Sequence, residues 1–361
     1  MEAAALHLKH KDFLHVDKNY EDAAVAAHLL YVKDSEPGIA RVKKGKGFSY
    51  YMGSKPVKTK KQITRIRKLV IPPAWINVWI CPVDNGHIQA TGLDVRQRKQ
   101  YRYHELWNKL RNETKFHRLY EFGKVLPLLR LKLENDLAQK ELSQHKVLAT
   151  VISLMERTYI RIGSNEYEKA NGSYGLTTLK DKHVAISENK MVFTFKGKKG
   201  IEHEISLKNK RLARMVKQCR DIPGKELFQY YDADGNRKPI DSGMVNHYIK
   251  EAVGIDCSAK DFRTWAGSLH ALQAFLSLGE AITITENKKN IVTALDLVSK
   301  KLGNTRTVCK KYYVHPALIQ LYEQNNLSAY LKDLDKLEEP GNKTGLTAEE
   351  QVLMKILKQN I

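Results

Sequence analysis

The sequence predicts an α+β chain in three parts. A small N-terminal antiparallel β domain spans 1–103, and a larger, mainly helical domain with a three-stranded antiparallel sheet spans 104–336. A linker and terminal helix occupy 337–361. Three observations predict this. Short apolar runs separated by turn residues crowd 37–103. Long patterns of helical period dominate after 104, and a second block of alternation at 184–205 interrupts them.

Residues 20–32 have the apolar spacing of a short helix, closed by Glu36-Pro37-Gly38. From Pro37 to Val83 there is no Asp or Glu, yet Arg41, Lys43, Lys44, Lys46, Lys55, Lys58, Lys60, Lys61, Arg65, Arg67 and Lys68 all fall there. Gly45, Gly47 and Gly53, with Phe48, Tyr50 and Tyr51 between them, mark short twisted strands and turns with a basic face. The apolar content of 63–80 argues against a disordered basic arm. Strands at 78–81 and 87–91 flank Asn85-Gly86. In 98–103 a strand would place Gln100 and Arg102 on one face and Lys99, Tyr101 and Tyr103 on the other. Such side chains can meet DNA, because Gln reads an adenine edge while Arg, Lys and Tyr reach phosphates.

Leu126, Leu129, Leu133 and Leu137, then Val147, Val151, Leu154 and Met155, keep helical spacing until Arg161-Ile162-Gly163 ends the pattern. Segments 184–186, 192–195 and 201–205 alternate as three strands. Glu188-Asn189-Lys190 and Gly197-Lys198-Lys199-Gly200 are their turns. Helices are expected at 208–219 and from a Ser242 cap to Val253, with Gly254 as stop. Another starts at Ser258, with Asp261 at capping-box spacing. Further helices are expected at 286–302, at 317–331, and after Thr347-x-x-Glu350.

The composition narrows the partner. With 61 Lys and Arg against 40 Asp and Glu, the net charge is +21. That excess points to a polyanion, nucleic acid first and an anionic membrane surface second. No apolar run approaches the ~20 residues of a spanning helix, and no secretory leader is expected. Cys81, Cys219, Cys257 and Cys309 are scattered without a CxxC pair. Neither zinc nor a disulfide framework is expected, and a reducing compartment fits.

The segment 303–315, Gly-Asn-Thr-Arg-Thr-Val-Cys-Lys-Lys-Tyr-Tyr-Val-His, follows a periodic helix and presents Tyr312 and Tyr313 among cations. The tyrosines either pack a helix face or place a nucleophile at a DNA phosphate. A phenol has a pKa of ~10 and is mostly protonated at neutral pH, and cations placed against it favour the phenolate.

Several motifs bear on that choice. They are Gly45-Lys46-Gly47-Phe48-Ser49-Tyr50, Ile71-Pro72-Pro73-Ala74-Trp75, the run from Gly86 to Gly92, the run from Arg98 to Tyr103, Gly172-Ser173-Tyr174-Gly175-Leu176, and Lys260-Asp261-Phe262-Arg263-Thr264-Trp265. With them the chain resembles, from about residue 30 to 316, the compact type IB DNA topoisomerases of bacteria and large DNA viruses, the bacterial branch nearest. The resemblance implies a catalytic set of Arg161, Lys198, Arg263, Asn304 and Tyr313. Asn304 stands where many members carry histidine, nine positions before the tyrosine, and that spacing selects Tyr313 over Tyr312. It also implies DNA contacts from Gln100, Tyr101, Tyr103, Tyr167 and Lys260, and a two-domain clamp on duplex DNA. The implied activity is relaxation of positive and negative supercoils through a 3′-phosphotyrosyl intermediate. No cofactor, ATP or metal is implied, and the protein would be a monomer without a membrane partner. The expected location is the cytoplasm beside the nucleoid for a bacterial host, or the virion or host compartment for a viral one. Two alternatives stay open on sequence: a tyrosine site-specific recombinase and a non-catalytic DNA-binding protein. Recombinases usually carry His-x-x-Arg where this chain has Lys260-x-x-Arg263, and their N-terminal domain is helical.

Overall fold

The computed structural model describes residues 8–331 and 344–360, so the linker expected at 338–345 lies, up to residue 343, outside the described residues. Two compact units divide the chain, one up to Arg118 and one of Leu119–Asn360.

The first unit opens with helices α1 (His10–Lys18) and α2 (Tyr20–Ala26). The helix expected over 20–32 stops early, because His28 takes a left-handed φ of 56°. Strands β1 (Ile39–Lys44), β2 (Gly47–Met52) and β3 (Lys55–Pro56) follow, then helix α3 (Lys60–Lys68). Strands β4 (Ile76–Ile80), β5 (Ile88–Leu93) and β6 (Lys99–Tyr103) complete an antiparallel sheet of order β3-β2-β1-β4-β5-β6. Helix α3 corrects the expectation of strands throughout 37–83. Its Ile66 buries against Ile39, Val78, Ile80 and Ala90 of the sheet, leaving Lys60, Lys61, Arg67 and Lys68 in solvent.

The uniformly basic face also needs correction. Arg41 turns inward, donating to the carbonyls of Ile71, Pro72 and Trp75 at 3.2, 3.0 and 2.7 Å and stacking on Phe48. Arg65 likewise donates to the Cys81 carbonyl at 2.6 Å and to Gln89 Oε1 at 2.9 Å. These two cations satisfy loop carbonyls that have no ladder partner.

Helix α4 (Glu105–Ala138) begins just after β6. The units part inside α4, after Arg118, rather than at the expected boundary of 103. The reason is packing: Trp107 and Leu110 bury among Phe13, Val16, Ala23, Ala24, Ala27 and Leu29 of the first unit.

In the second unit the central helix is α5 (Gln144–Thr158), buried without a break from Lys146 to Met155. Helix α6 (Asn165–Asn171) precedes a three-stranded sheet, β7 (Val184–Ile186), β8 (Lys190–Lys196) and β9 (Glu202–Lys208), in the expected order and antiparallel sense. Then come α7 (Lys210–Arg220), a hairpin of β10 (Gln229–Tyr231) and β11 (Arg237–Pro239), α8 (Ser242–Val253), α9 (Ala259–Leu278), α10 (Ile284–Leu302) and α11 (Arg306–Tyr312). The cap of α8 is Asp241, which accepts from the Met244 amide at 2.9 Å; Ser242 is the first helical residue. The Ser258–Asp261 capping box stands as expected. The single helix expected over 317–331 is two, α12 (Pro316–Glu323) and α13 (Ser328–Leu331), interrupted where Asn325 takes a φ of 54°. Helix α14 (Ala348–Gln359) closes the unit behind the Thr347–Glu350 capping box.

Glu350, 2% exposed, does more than cap. It accepts two hydrogen bonds from Arg130 of α4, at 2.7 and 2.9 Å, and one from Trp265 Nε1 of α9 at 3.0 Å. Burial alone would raise its carboxyl pKa, but Arg130 and the indole N–H hold it below the usual carboxylate range. Stability from this group is therefore complete above the ordinary carboxylate pKa and is lost as pH falls through the lowered one. Glu350→Ala should cost about 1–3 kcal/mol, because it strips the Trp265 N–H and two Arg130 donors of their acceptor while Arg130 keeps its ion pair with Glu156 at 2.7 Å. Denaturant unfolding at neutral pH checks this; an unchanged midpoint and slope would contradict it.

Candidate active site

Four segments of the second unit bring the expected residues together. The first is the loop after α5. Tyr159 ends that helix in the left-handed region at φ 57°, and Arg161 follows. The loop is clamped by 175–177: the Leu176 amide donates to the Arg161 carbonyl at 2.9 Å and the Thr177 amide to the Ile162 carbonyl at 2.7 Å. A Cβ on Gly175 would lie 2.5 Å from that Arg161 carbonyl, which explains the glycine in the Gly172–Leu176 motif.

The second segment is the β8–β9 turn, which presents Lys198 in solvent with Nζ 5.5 Å from the centre of the Tyr167 ring of α6. The third is the first turns of α9, which supply Lys260 and Arg263. Arg263 is 6% exposed, and its guanidinium sits where two helices end. It donates to the Leu302 carbonyl of α10 at 2.6 Å and to the Tyr159 carbonyl that caps α5. Carbonyls at helix C-termini lack intrahelical donors and carry negative dipole ends, so the cation is fixed by both. Burial and the neighbouring Arg161 lower its pKa. Its Nε is buried with no hydrogen-bond partner among the described residues.

The fourth segment runs from the left-handed cap of α10 at Gly303 through α11 to Tyr313. Asn304 Oδ1 accepts from Arg161 Nη2 at 2.8 Å, which leaves Nδ2 as the amide's donor. The Tyr313 ring lies 5.3 Å from the Arg263 guanidinium carbon. Its backbone rests on α9 at Gly267, where a Cβ would come within 2.5 Å of the Tyr313 carbonyl. Ser268 Oγ donates to that carbonyl at 3.2 Å and accepts from the His315 amide at 3.0 Å. Arg263 and Gly267 are one helical step of four apart, so one face of α9 holds both ring and backbone.

Arg161, Tyr167, Lys198, Lys260, Arg263 and Tyr313 line one cleft of about 410 Å³. Asn304 is not on its wall and joins the site through Arg161. Tyr312 is 43% exposed and lies outside this lining. Neither Arg161, Lys198 nor Arg263 forms an ion pair with a described carboxylate; Tyr313 and Cys309 are what raise the Arg263 pKa against its burial. Buried cations are normally paired, so this cleft is built to receive an anion. Among the described residues no group of three or more His, Cys, Asp or Glu is placed to hold a metal ion.

The other expected DNA contacts lie in the first unit. Tyr101 and Tyr103 stand side by side and exposed on β6, ring centres 5.6 Å apart. Gln100 is on the opposite, half-buried face and donates to Asp94 Oδ2 at 3.1 Å. The strand therefore separates it from the tyrosines, as its alternation requires. Sequence reasoning missed Gly267 and Ser268. The signal was there: glycine inside a helix costs about 1 kcal/mol against alanine, and a packing reason usually accounts for it.

Comparison with known proteins supplies the family. Residues 104–339 match the family model described as the eukaryotic DNA topoisomerase I catalytic core, and residues 47–94 match the bacterial DNA topoisomerase IB N-terminal domain. The chain is 36% identical over 296 residues to DNA topoisomerase 1B of Acanthamoeba polyphaga mimivirus, covering 80% of this chain and 88% of that protein. The chain belongs to the type IB DNA topoisomerases. It is also 24% identical over 237 residues to DNA topoisomerase 1B of vaccinia virus, covering 65% of this chain and 72% of that topoisomerase. The family core reaches Asn304 and Tyr313, whereas α14 and its Glu350 lie beyond the matched residues.

Proposed function

We propose that this topoisomerase cleaves and reseals one strand of duplex DNA with Tyr313 as nucleophile, Arg161 and Arg263 as phosphate clamps, Lys198 as proton donor and Asn304 as the amide that supports Arg161. One observation carries this reading: two guanidiniums without carboxylate partners converge beside a tyrosine ring, in a cleft whose rim bears a lysine.

Tyr313 Oη attacks the phosphorus, and its proton passes to water in the cleft. The P–O5′ bond breaks, and its electron pair stays on the 5′ oxygen. That oxygen takes a proton from the Lys198 ammonium, which is general-acid catalysis. Negative charge grows on the non-bridging oxygens as attack proceeds. Arg161 and Arg263 meet it with charge-assisted hydrogen bonds, for which the unpartnered Arg263 Nε supplies a free donor. The products are a phosphotyrosine on the 3′ end and a free 5′ hydroxyl. The new ester keeps the energy of the old one, so resealing by the reverse steps requires no ATP. Between the two steps the broken strand swivels and supercoils of either sign relax. The protein acts as a monomer. Tyr167 and Lys260 touch phosphates beside the scissile one, and Tyr101, Tyr103 and Gln100 contact DNA from the first unit.

Plasmids supercoiled in either sense, incubated without ATP and with a chelator, should relax. Strand exchange between defined sites would favour a recombinase instead. Retardation of DNA without relaxation would favour a plain binding protein.

Asn304 separates this site from relatives with histidine there. An amide does not titrate, so the pH–rate profile should show no histidine step from this position. Asn304→Ala removes the acceptor that holds Arg161 and should slow single-turnover cleavage on the order of 10²-fold, the scale of a catalytic group misplaced by about 1 Å. An unchanged rate would remove Asn304 from the active site.

A further inference from the structure

His203 lies on β9, paired in register with Phe195 of β8, and its ring stacks on Phe195 with centroids 5.2 Å apart. Two glycines press on the same imidazole. A Cβ on Gly197 would meet its Cδ2 at 2.5 Å and Nε2 at 2.6 Å, and a Cβ on Gly303 would meet its Cε1 at 2.5 Å. Gly197 immediately precedes Lys198, and Gly303 immediately precedes Asn304. The backbone at Gly197 has φ −92°, which any residue adopts, so the glycine there answers to the ring and not to the turn. The ring thus fills the gap between two turns that come from distant parts of the chain, each presenting a residue of the proposed machinery.

We propose that His203 is a positioning residue: a flat wedge that sets the Lys198 turn against the Gly303–Asn304 turn and so fixes where the Lys198 ammonium stands. Burial, with Arg161 and Arg263 nearby, lowers the imidazole pKa, so the wedge is neutral and adds no repulsion to the phosphate clamps. The inference rests on Lys198 as the proton donor, and it assigns His203 no contact with the substrate.

A cleavage substrate with sulfur in place of the scissile 5′ oxygen tests it. A thiolate leaves without a proton, so breaking the P–S bond bypasses the lysine. Single-turnover cleavage is compared on oxygen and sulfur substrates for wild type, Lys198→Ala, His203→Ala and His203→Asn, with melting curves for each. The asparagine variant keeps a small planar group should the alanine variant fail to fold. The His203 variants should be slowed roughly 10- to 100-fold on oxygen, the scale of a misplacement of about 1 Å. They should recover most of that loss on sulfur, as Lys198→Ala does. His203 variants that match wild type on oxygen, or are equally slow on both substrates, would overturn the proposal. Failure of Lys198→Ala itself to recover would overturn Lys198 as the donor, and the inference with it.

Discussion

Tyr313→Phe is expected to abolish relaxation and covalent attachment to DNA, a loss of 10⁴-fold or more of the order seen when a nucleophile is removed. Phenylalanine keeps the ring over Arg263 and the backbone contacts with Gly267 and Ser268, and loses only the oxygen. Folding and DNA retention should therefore survive. Tyr312→Phe is the paired control and should relax plasmid at close to the wild-type rate, because Tyr312 lies outside the cleft lining. Gel assays of both variants, with filter binding to confirm DNA retention, separate the outcomes. Residual turnover by Tyr313→Phe, or loss of activity in Tyr312→Phe alone, would move the nucleophile to the neighbouring residue.

Arg263→Lys should slow cleavage on the order of 10³-fold, within the range lost when an arginine that stabilises transferring phosphoryl charge is removed. Charge is conserved, so charge alone cannot be the reason. The guanidinium bridges the carbonyls that end α5 and α10, and its Nε remains free. An ammonium has neither the planar fork nor a further donor directed elsewhere, so it would satisfy the carbonyls or the phosphate but not both. Single-turnover cleavage measures the effect, and affinity for uncleaved duplex at low salt should change far less. Cleavage within a few-fold of wild type would mean that Arg263 braces helices and does not hold the phosphate.

Much of this site is legible in the chain before folding. The turn carrying Lys198 stands out because 192–195 and 201–205 alternate around Gly197 and Gly200. The helix carrying Arg263 announces itself through the Ser258–Asp261 box. The stop before Asn304 is visible in Gly303, which does take the left-handed cap. These are local signals, set within one turn of backbone. What stayed hidden depends on contacts between distant segments. Arg41 and Arg65 count as surface charge in sequence, yet they spend their donors on loop carbonyls 16 to 34 positions away. Helix α3 was masked by its basic composition, since only Ile66 meets the sheet core. Gly267 and His203 carry no catalytic chemistry of their own. Their importance lies in what presses on them, which no periodicity reveals.

The most direct measurement maps the covalent adduct. Enzyme trapped on nicked or suicide-substrate DNA by denaturation, then digested and sequenced by mass spectrometry, should yield a single modified peptide with Tyr313 joined to a 3′ phosphate and a free hydroxyl on the 5′ side. An adduct on Tyr312, linkage to a 5′ phosphate, or no adduct under conditions where plasmid relaxes would contradict the account.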